Sequence, residues 1–127
     1  AANTRRLVRA LEHPGVDLIG HPSTRRLGMR PALDFDWDEV FAAAKKHGKA
    51  MELNSSPERL DLDEIRLRQA KALHVPVFID TDAHAPGMYG NIEYGVMQAR
   101  RAWLAPEDVV NTKTWKEFEK WLRSRRA

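Results

Sequence analysis

Val75-Pro76-Val77-Phe78-Ile79-Asp80-Thr81-Asp82-Ala83-His84 is a short apolar run that ends abruptly in acidic residues and a histidine. Val75 to Asp80 reads as a buried strand, with proline near its start, where a missing N–H costs least. Two upstream runs share this form. Val16-Asp17-Leu18-Ile19-Gly20 is stopped by His21-Pro22, and Ala50-Met51-Glu52-Leu53-Asn54 is broken by Ser55-Ser56-Pro57. Helix-length stretches separate the three. Parallel strands need such crossovers, so the expected fold class is α/β, with parallel strands alternating with helices. Three strands make a thin sheet, which implies either a cut barrel or a partner that supplies the rest.

The helices are read from their caps and stripes. Leu7, Val8 and Leu11 lie at helical spacing before His13-Pro14-Gly15. Asp36 with Glu39 forms a capping box ahead of Trp37, Val40, Phe41 and Ala44, and Gly48 suits the C′ position. Asp61 with Glu64 is expected to box the next helix, whose face carries Leu62, Ile65 and Leu73. Ile92, Val96, Ala99 and Trp103 give another stripe, with Gly95 for close approach. Pro106 starts a short turn of helix. Thr114 and Glu117 box a last helix with Trp115, Phe118 and Leu122 inward. The chain does not begin with Met, and Thr4 to Leu11 is already helical, so it is expected to be a piece of something longer.

Composition narrows the classes. A chain of 127 residues suits one domain. The absence of cysteine excludes a disulfide scaffold, a Cys-based zinc finger and a cysteine nucleophile, and it fits a reducing, cytoplasmic compartment. No apolar stretch approaches the roughly 20 residues of a membrane span, so no membrane partner is expected. The net charge of +3 fits an anionic partner.

The histidines divide into two groups. His13, His47 and His74 lie at helix ends, where imidazole suits the dipole. His21 and His84 instead follow strands, at the carboxyl-end rim where parallel α/β folds bind ligands. Asp82 and His84 at i, i+2 would share a face in extended chain, and His21 from a neighbouring strand end would make three convergent ligands for Zn²⁺, Mn²⁺ or Fe²⁺. Alternatively Asp82 and His84 form a turn and His21 packs at the rim. Arg25, Arg26 and Arg30 follow His21 and suit bidentate phosphate contact, or else form a solvated basic loop. Asn54 and Ser55 could donate to a substrate oxygen or merely turn the chain. Arg59 and Asp61 are expected to pair locally.

In order along the chain stand Gly20-His21-Pro22, Arg26-Leu27-Gly28 with Arg30-Pro31, and Glu52-Leu53-Asn54 with Pro57-x-Arg59-Leu60-Asp61-Leu62. Thr81-Asp82-Ala83-His84 and Trp103-Leu104-x-Pro106-Glu107-Asp108-Val109-x-Asn111-Thr112 follow. From about Thr4 to Arg123 the sequence resembles the C-terminal part of the polymerase and histidinol phosphatase (PHP) domain. The version it most resembles is fused to bacterial and archaeal family X DNA polymerases. The resemblance implies that residues 1–127 are one partial domain of a distorted seven-stranded TIM-like (β/α) barrel, with the upstream strands absent. It implies up to three divalent ions in the complete domain, manganese foremost and zinc or iron as alternatives. It implies 3′–5′ exonuclease action on DNA in the parent protein and a part in DNA repair. His21, Asp82 and His84 match the last three family ligands and carry the catalysis, while His13, His47 and His74 match none. Arg25, Arg26, Arg30 and Asn54 are the expected phosphate-binding groups. A cut barrel would also expose edge strands, open to self-association. The alternatives are a stand-alone phosphatase acting on a small phosphomonoester such as histidinol phosphate, and a non-catalytic module supporting a polymerase.

Overall fold

The computed structural model describes residues 2–126. The elements run α1 (Ala2–Glu12), β1 (Leu18–Ile19), α2 (Trp37–Lys46), β2 (Ala50–Asn54), α3 (Glu64–Ala72), β3 (Val77–Asp80), α4 (Ile92–Arg101) and α5 (Trp115–Arg126). Short 3₁₀ turns at Pro86–Asn91, Pro106–Asp108 and Val110–Thr112 link the last three. The fold class is α/β, as expected. One parallel sheet has the order β1-β2-β3, with Leu18 opposite Ala50, Met51 opposite Val77 and Asn54 opposite Asp80.

Every residue of β2 is buried, as a central strand of a covered sheet requires. Met51, Leu53 and Val77 pack with Phe41, Leu67 and Leu11 into one core. The outer strands are shorter than their apolar runs. Among the described residues β1 pairs on one side only, and Asp17 extends the ladder by accepting from Ala50 N–H at 3.1 Å. At β3, Pro76 cannot donate, although its carbonyl accepts from Met51 at 3.0 Å.

The far edge of β3 is closed, against the expectation of an exposed edge. Val77 bridges Val109, and the Asn111 side chain accepts from Ile79 N–H at 3.1 Å and donates to its carbonyl at 2.6 Å. One amide thus satisfies both free backbone groups. Beside β1, the described residues leave a concavity of 270 Å³ lined in part by Leu7, Ala10, Ile19, Leu33 and Phe35.

Several caps stand as read. Asp36 accepts from Glu39 N–H at 3.0 Å, although its own N–H donates to Thr4 Oγ1 at 2.9 Å in place of Glu39, so that box is only half made; Thr114 and Glu117 exchange hydrogen bonds, and Gly48 has φ +64°. Other readings are corrected. The cap of α3 is Asp63, which accepts from Arg66 N–H at 2.8 Å, while Asp61 is wholly buried. Ile65 is exposed, and Leu67 and Ala70 face the core in its place. On α4 the inner face is Gly95, Gln98 and Ala99, not Val96, because the helix approaches the sheet too closely for a larger side chain. Trp103 and Trp115 also lie outside, with Trp103 stacked 3.9 Å beneath the Arg68 guanidinium. Phe118 and Trp121 carry the inner contact of α5, their rings each 5.8 Å from Phe78.

Candidate functional site

The carboxyl ends of the three strands open into three loops, 20–35, 55–63 and 81–91, and the sequence-predicted residues lie on them. His21 follows β1 with φ +28°, so the chain turns sharply there. Its N–H donates to the Glu52 carboxylate, and its Nδ1 is buried without a hydrogen-bond partner among the described residues. Asp82 has φ +51°. The chain at Asp82 is therefore turned rather than extended, which corrects the geometric basis of the i, i+2 reading. The turn nevertheless brings Asp82 Oδ1 within 4.0 Å of His84 Nδ1. His84 Nδ1 also lies 2.6 Å from the Asp82 carbonyl. A proton held there leaves Nε2 with its lone pair free, the form a metal ligand needs. His84 is largely exposed, whereas Asp82 is partly enclosed.

His21 is not brought together with that pair. The buried Asp61 accepts from Ser23 N–H at 3.1 Å. Burial raises the Asp61 pKa, and the Ser23 hydrogen bonds, Arg25 and His21 oppose the rise. Among the described residues, no group of three or more His, Asp or Glu stands close enough to hold a metal ion.

Two acids outside the predicted set join the site. Glu52, on central β2, touches the His21 backbone, Asn54 and Asp80. Burial first, and then the neighbouring Asp80 carboxyl, push Glu52 up to about 8. Asn54 is fully buried and donates to Glu52 at 3.3 Å and to Asp82 at 3.1 Å, while its oxygen accepts from Ser56 N–H. Both of its N–H groups are thus committed, which makes Asn54 a fastener between carboxylates rather than a free donor to substrate. The alternation in Ala50-Met51-Glu52-Leu53-Asn54 already puts Glu52 and Asn54 on one face, the signal that could have found Glu52.

The arginines are distributed differently from the sequence expectation. Arg25 donates to the Arg59 carbonyl at 2.8 Å and to the Leu60 carbonyl, and lies 3.9 Å from Asp63. Arg26 pairs with Glu58. Arg30 donates twice to the Thr24 carbonyl, at 2.9 and 2.6 Å. Arg59 does not pair with Asp61 and instead lies 3.5 Å from Asp82. It is the guanidinium nearest the acidic pair, placed there by a loop that Arg25 holds. His13, His47 and His74 sit at the ends of α1, α2 and α3, outside these loops. His13 Nδ1 accepts from Gly15 N–H at 3.1 Å.

A divalent ion suits part of this donor set. The orphaned His21 Nδ1, the imidazole–carboxylate pair of His84 and Asp82, and the crowded Glu52 and Asp80 carboxyls all favour a cation nearby.

No family model matches the chain. Over 119 residues, 94% of its length, it is 37% identical to the DNA polymerase/3′-5′ exonuclease PolX of Bacillus subtilis (strain 168) and spans 21% of that protein. It is 30% identical over 116 residues to a probable phosphatase of Thermoanaerobacter sp. (strain X514), covering 87% of the chain and 45% of the phosphatase. It is also 30% identical over 132 residues to a probable phosphatase of Vibrio cholerae serotype O1 (strain M66-2), at 98% and 50%. The chain spans half or less of the length of these curated relatives. The resemblance to the PHP domain read from the motifs is borne out, since the relatives include both a family X polymerase and phosphatases.

Proposed function

We propose that this chain, phosphoesterase-like by its relatives, is the C-terminal part of a PHP barrel that hydrolyses DNA phosphodiesters from the 3′ end. Residues 1–127 are then one partial domain, whose remaining strands and metal ligands lie upstream in a polymerase-bearing parent. The side of β1 left without a strand partner among the described residues is where those strands, or a second copy, would add. No helix among the described residues is long and apolar enough to cross a membrane, and a DNA substrate suits the cytoplasm.

The observation that carries the reading is the acidic rim, where Asp82 and His84 stand 4.0 Å apart and Asn54 ties Asp82 to Glu52 beneath His21. Asp82 and His84 would hold one manganese and His21 another, each together with ligands from the upstream strands, with zinc or iron as substitutes. When bound, the ion supplies a water of lowered pKa and polarises the phosphate. Asn54 keeps the Asp82 carboxylate oriented, and Arg59 offsets charge on the phosphate from its seat beside Asp82. Arg25 acts through Arg59, because its hydrogen bonds to the 59–60 carbonyls fix that loop. Arg26 and Arg30 sit farther out and meet the flanking backbone. No side chain of the chain serves as nucleophile.

The test compares substrates. With manganese, the protein carrying these residues together with its upstream strands is expected to release mononucleotides from single-stranded DNA faster than it hydrolyses p-nitrophenyl phosphate. Faster cleavage of the monoester would favour the phosphatase reading, supported by the relatives from Thermoanaerobacter and Vibrio. Turnover of neither substrate would favour a non-catalytic module beside a polymerase.

A further inference from the structure

We infer that the loop tip Arg26-Leu27-Gly28-Met29-Arg30 is a preformed finger that engages single-stranded DNA beside the site, with Met29 and Leu27 against a base and Arg30 on the backbone phosphate. This rests on the reading of DNA as substrate.

The tip is tightly built. Arg26 and Arg30 form an antiparallel bridge, their N–H and carbonyl groups exchanging hydrogen bonds at 2.9 and 2.8 Å. Gly28 turns the tip with φ +74°, a conformation glycine adopts without penalty. The base of the loop is closed by Leu33 N–H on the Ser23 carbonyl at 2.8 Å. The flank is pinned to the neighbouring loop by Leu27 N–H on the Glu58 carbonyl at 2.6 Å and by the Arg26–Glu58 pair. So fastened, the tip still presents its apolar side chains to solvent. Met29 is 72% exposed and Leu27 47%.

Isolated exposed apolar residues are ordinary on protein surfaces. Here two are held on one short tip that cannot fold them inward, between cations, in the loop that begins at His21. Arg30 touches only a carbonyl, and among the described residues no carboxylate neutralises it. Apolar tips flanked by cations fit a base and its phosphate together. A thioether packs favourably on an aromatic ring, and contact with an unstacked base needs no particular sequence. A small phosphomonoester offers no base for Met29 and Leu27, so the finger favours polynucleotides.

The test measures binding of a fluorescein-labelled oligothymidylate to the 127-residue chain by anisotropy, without metal. Met29→Ser and Leu27→Ser, at exposed positions, are each expected to weaken binding about tenfold. Arg30→Gln should lower the salt dependence by about one phosphate contact. Circular dichroism verifies the fold of each variant. Oligonucleotide affinity within twofold of the unmodified chain in both apolar variants would overturn the proposal. So would no binding by the unmodified chain, or a Met29→Ser effect confined to self-association in sedimentation. The assay involves no turnover, so its failure leaves a phosphoesterase standing. Lost hydrolysis with Met29-dependent binding intact would instead sink the hydrolase reading alone.

Discussion

Asp82→Asn is expected to weaken manganese binding at least about 100-fold and to stop hydrolysis by the complete domain, with the fold intact. Loss of groups that merely orient ligands costs about 10–100-fold, and a ligating carboxylate should cost no less. The amide is nearly isosteric, and its oxygen can still accept from Asn54, which now lies 3.1 Å from the carboxylate. The 3.5 Å contact with Arg59 is partly exposed, so its loss should cost no more than about 1 kcal/mol. Calorimetric manganese titration and thermal unfolding of the same samples separate the two effects. Retained metal affinity with a large drop in stability would reduce Asp82 to a loop fastener for Arg59.

Gly95→Ala sets two effects of opposite sign against each other. In a helix interior, alanine is favoured over glycine by about 1 kcal/mol. At this position, however, a Cβ would stand 1.9 Å from Ser55 Oγ, 2.8 Å from Ile79 Cγ2 and 2.9 Å from Ser55 Cβ. Relieving that overlap means lifting α4 from the sheet or displacing the start of the loop after β2. Overpacking typically costs about 1–3 kcal/mol and sometimes more. Steric conflict this close lies at the upper end, so the net expectation is destabilisation of about 2 kcal/mol or more. Urea denaturation measures it. Adding Ser55→Gly removes two of the three conflicts and should restore part of the loss, because the two positions are in contact. A Gly95→Ala chain as stable as the unmodified one would contradict the close packing of α4.

What could be read from the residues alone followed locality. The run Ala50–Asn54 has both strand ends marked, by the glycine-terminated helix before it and the Ser-Ser-Pro after it, and β2 has those limits. Asp36, Gly48 and the Thr114–Glu117 pair act on residues three or four away, and their roles are local too. Non-local contacts were out of reach. Asp61 has the spacing of a helix cap, but Ser23, far upstream in sequence, occupies it and Asp63 takes the role. Arg25 suits a phosphate until the Arg59 and Leu60 carbonyls reach it. Trp103 and Trp115 have core spacing, yet the face a helix buries depends on its neighbours, and here small residues of α4 and the Phe118–Trp121 pair of α5 do that work. Glu52 was visible on the face shared with Asn54. Alternation could not say whether that face met solvent or the rim.

A divalent ion bound at the carboxyl ends of these strands would leave a local signature. Titrating Mn²⁺ into the isotopically labelled chain and following amide signals tests it most directly, since the paramagnetic ion broadens only nearby nuclei. Signals of His21 and of Thr81 to His84 are expected to vanish first, at ratios well below one ion per chain. Broadening confined to other surfaces, or none at all, would contradict that expectation.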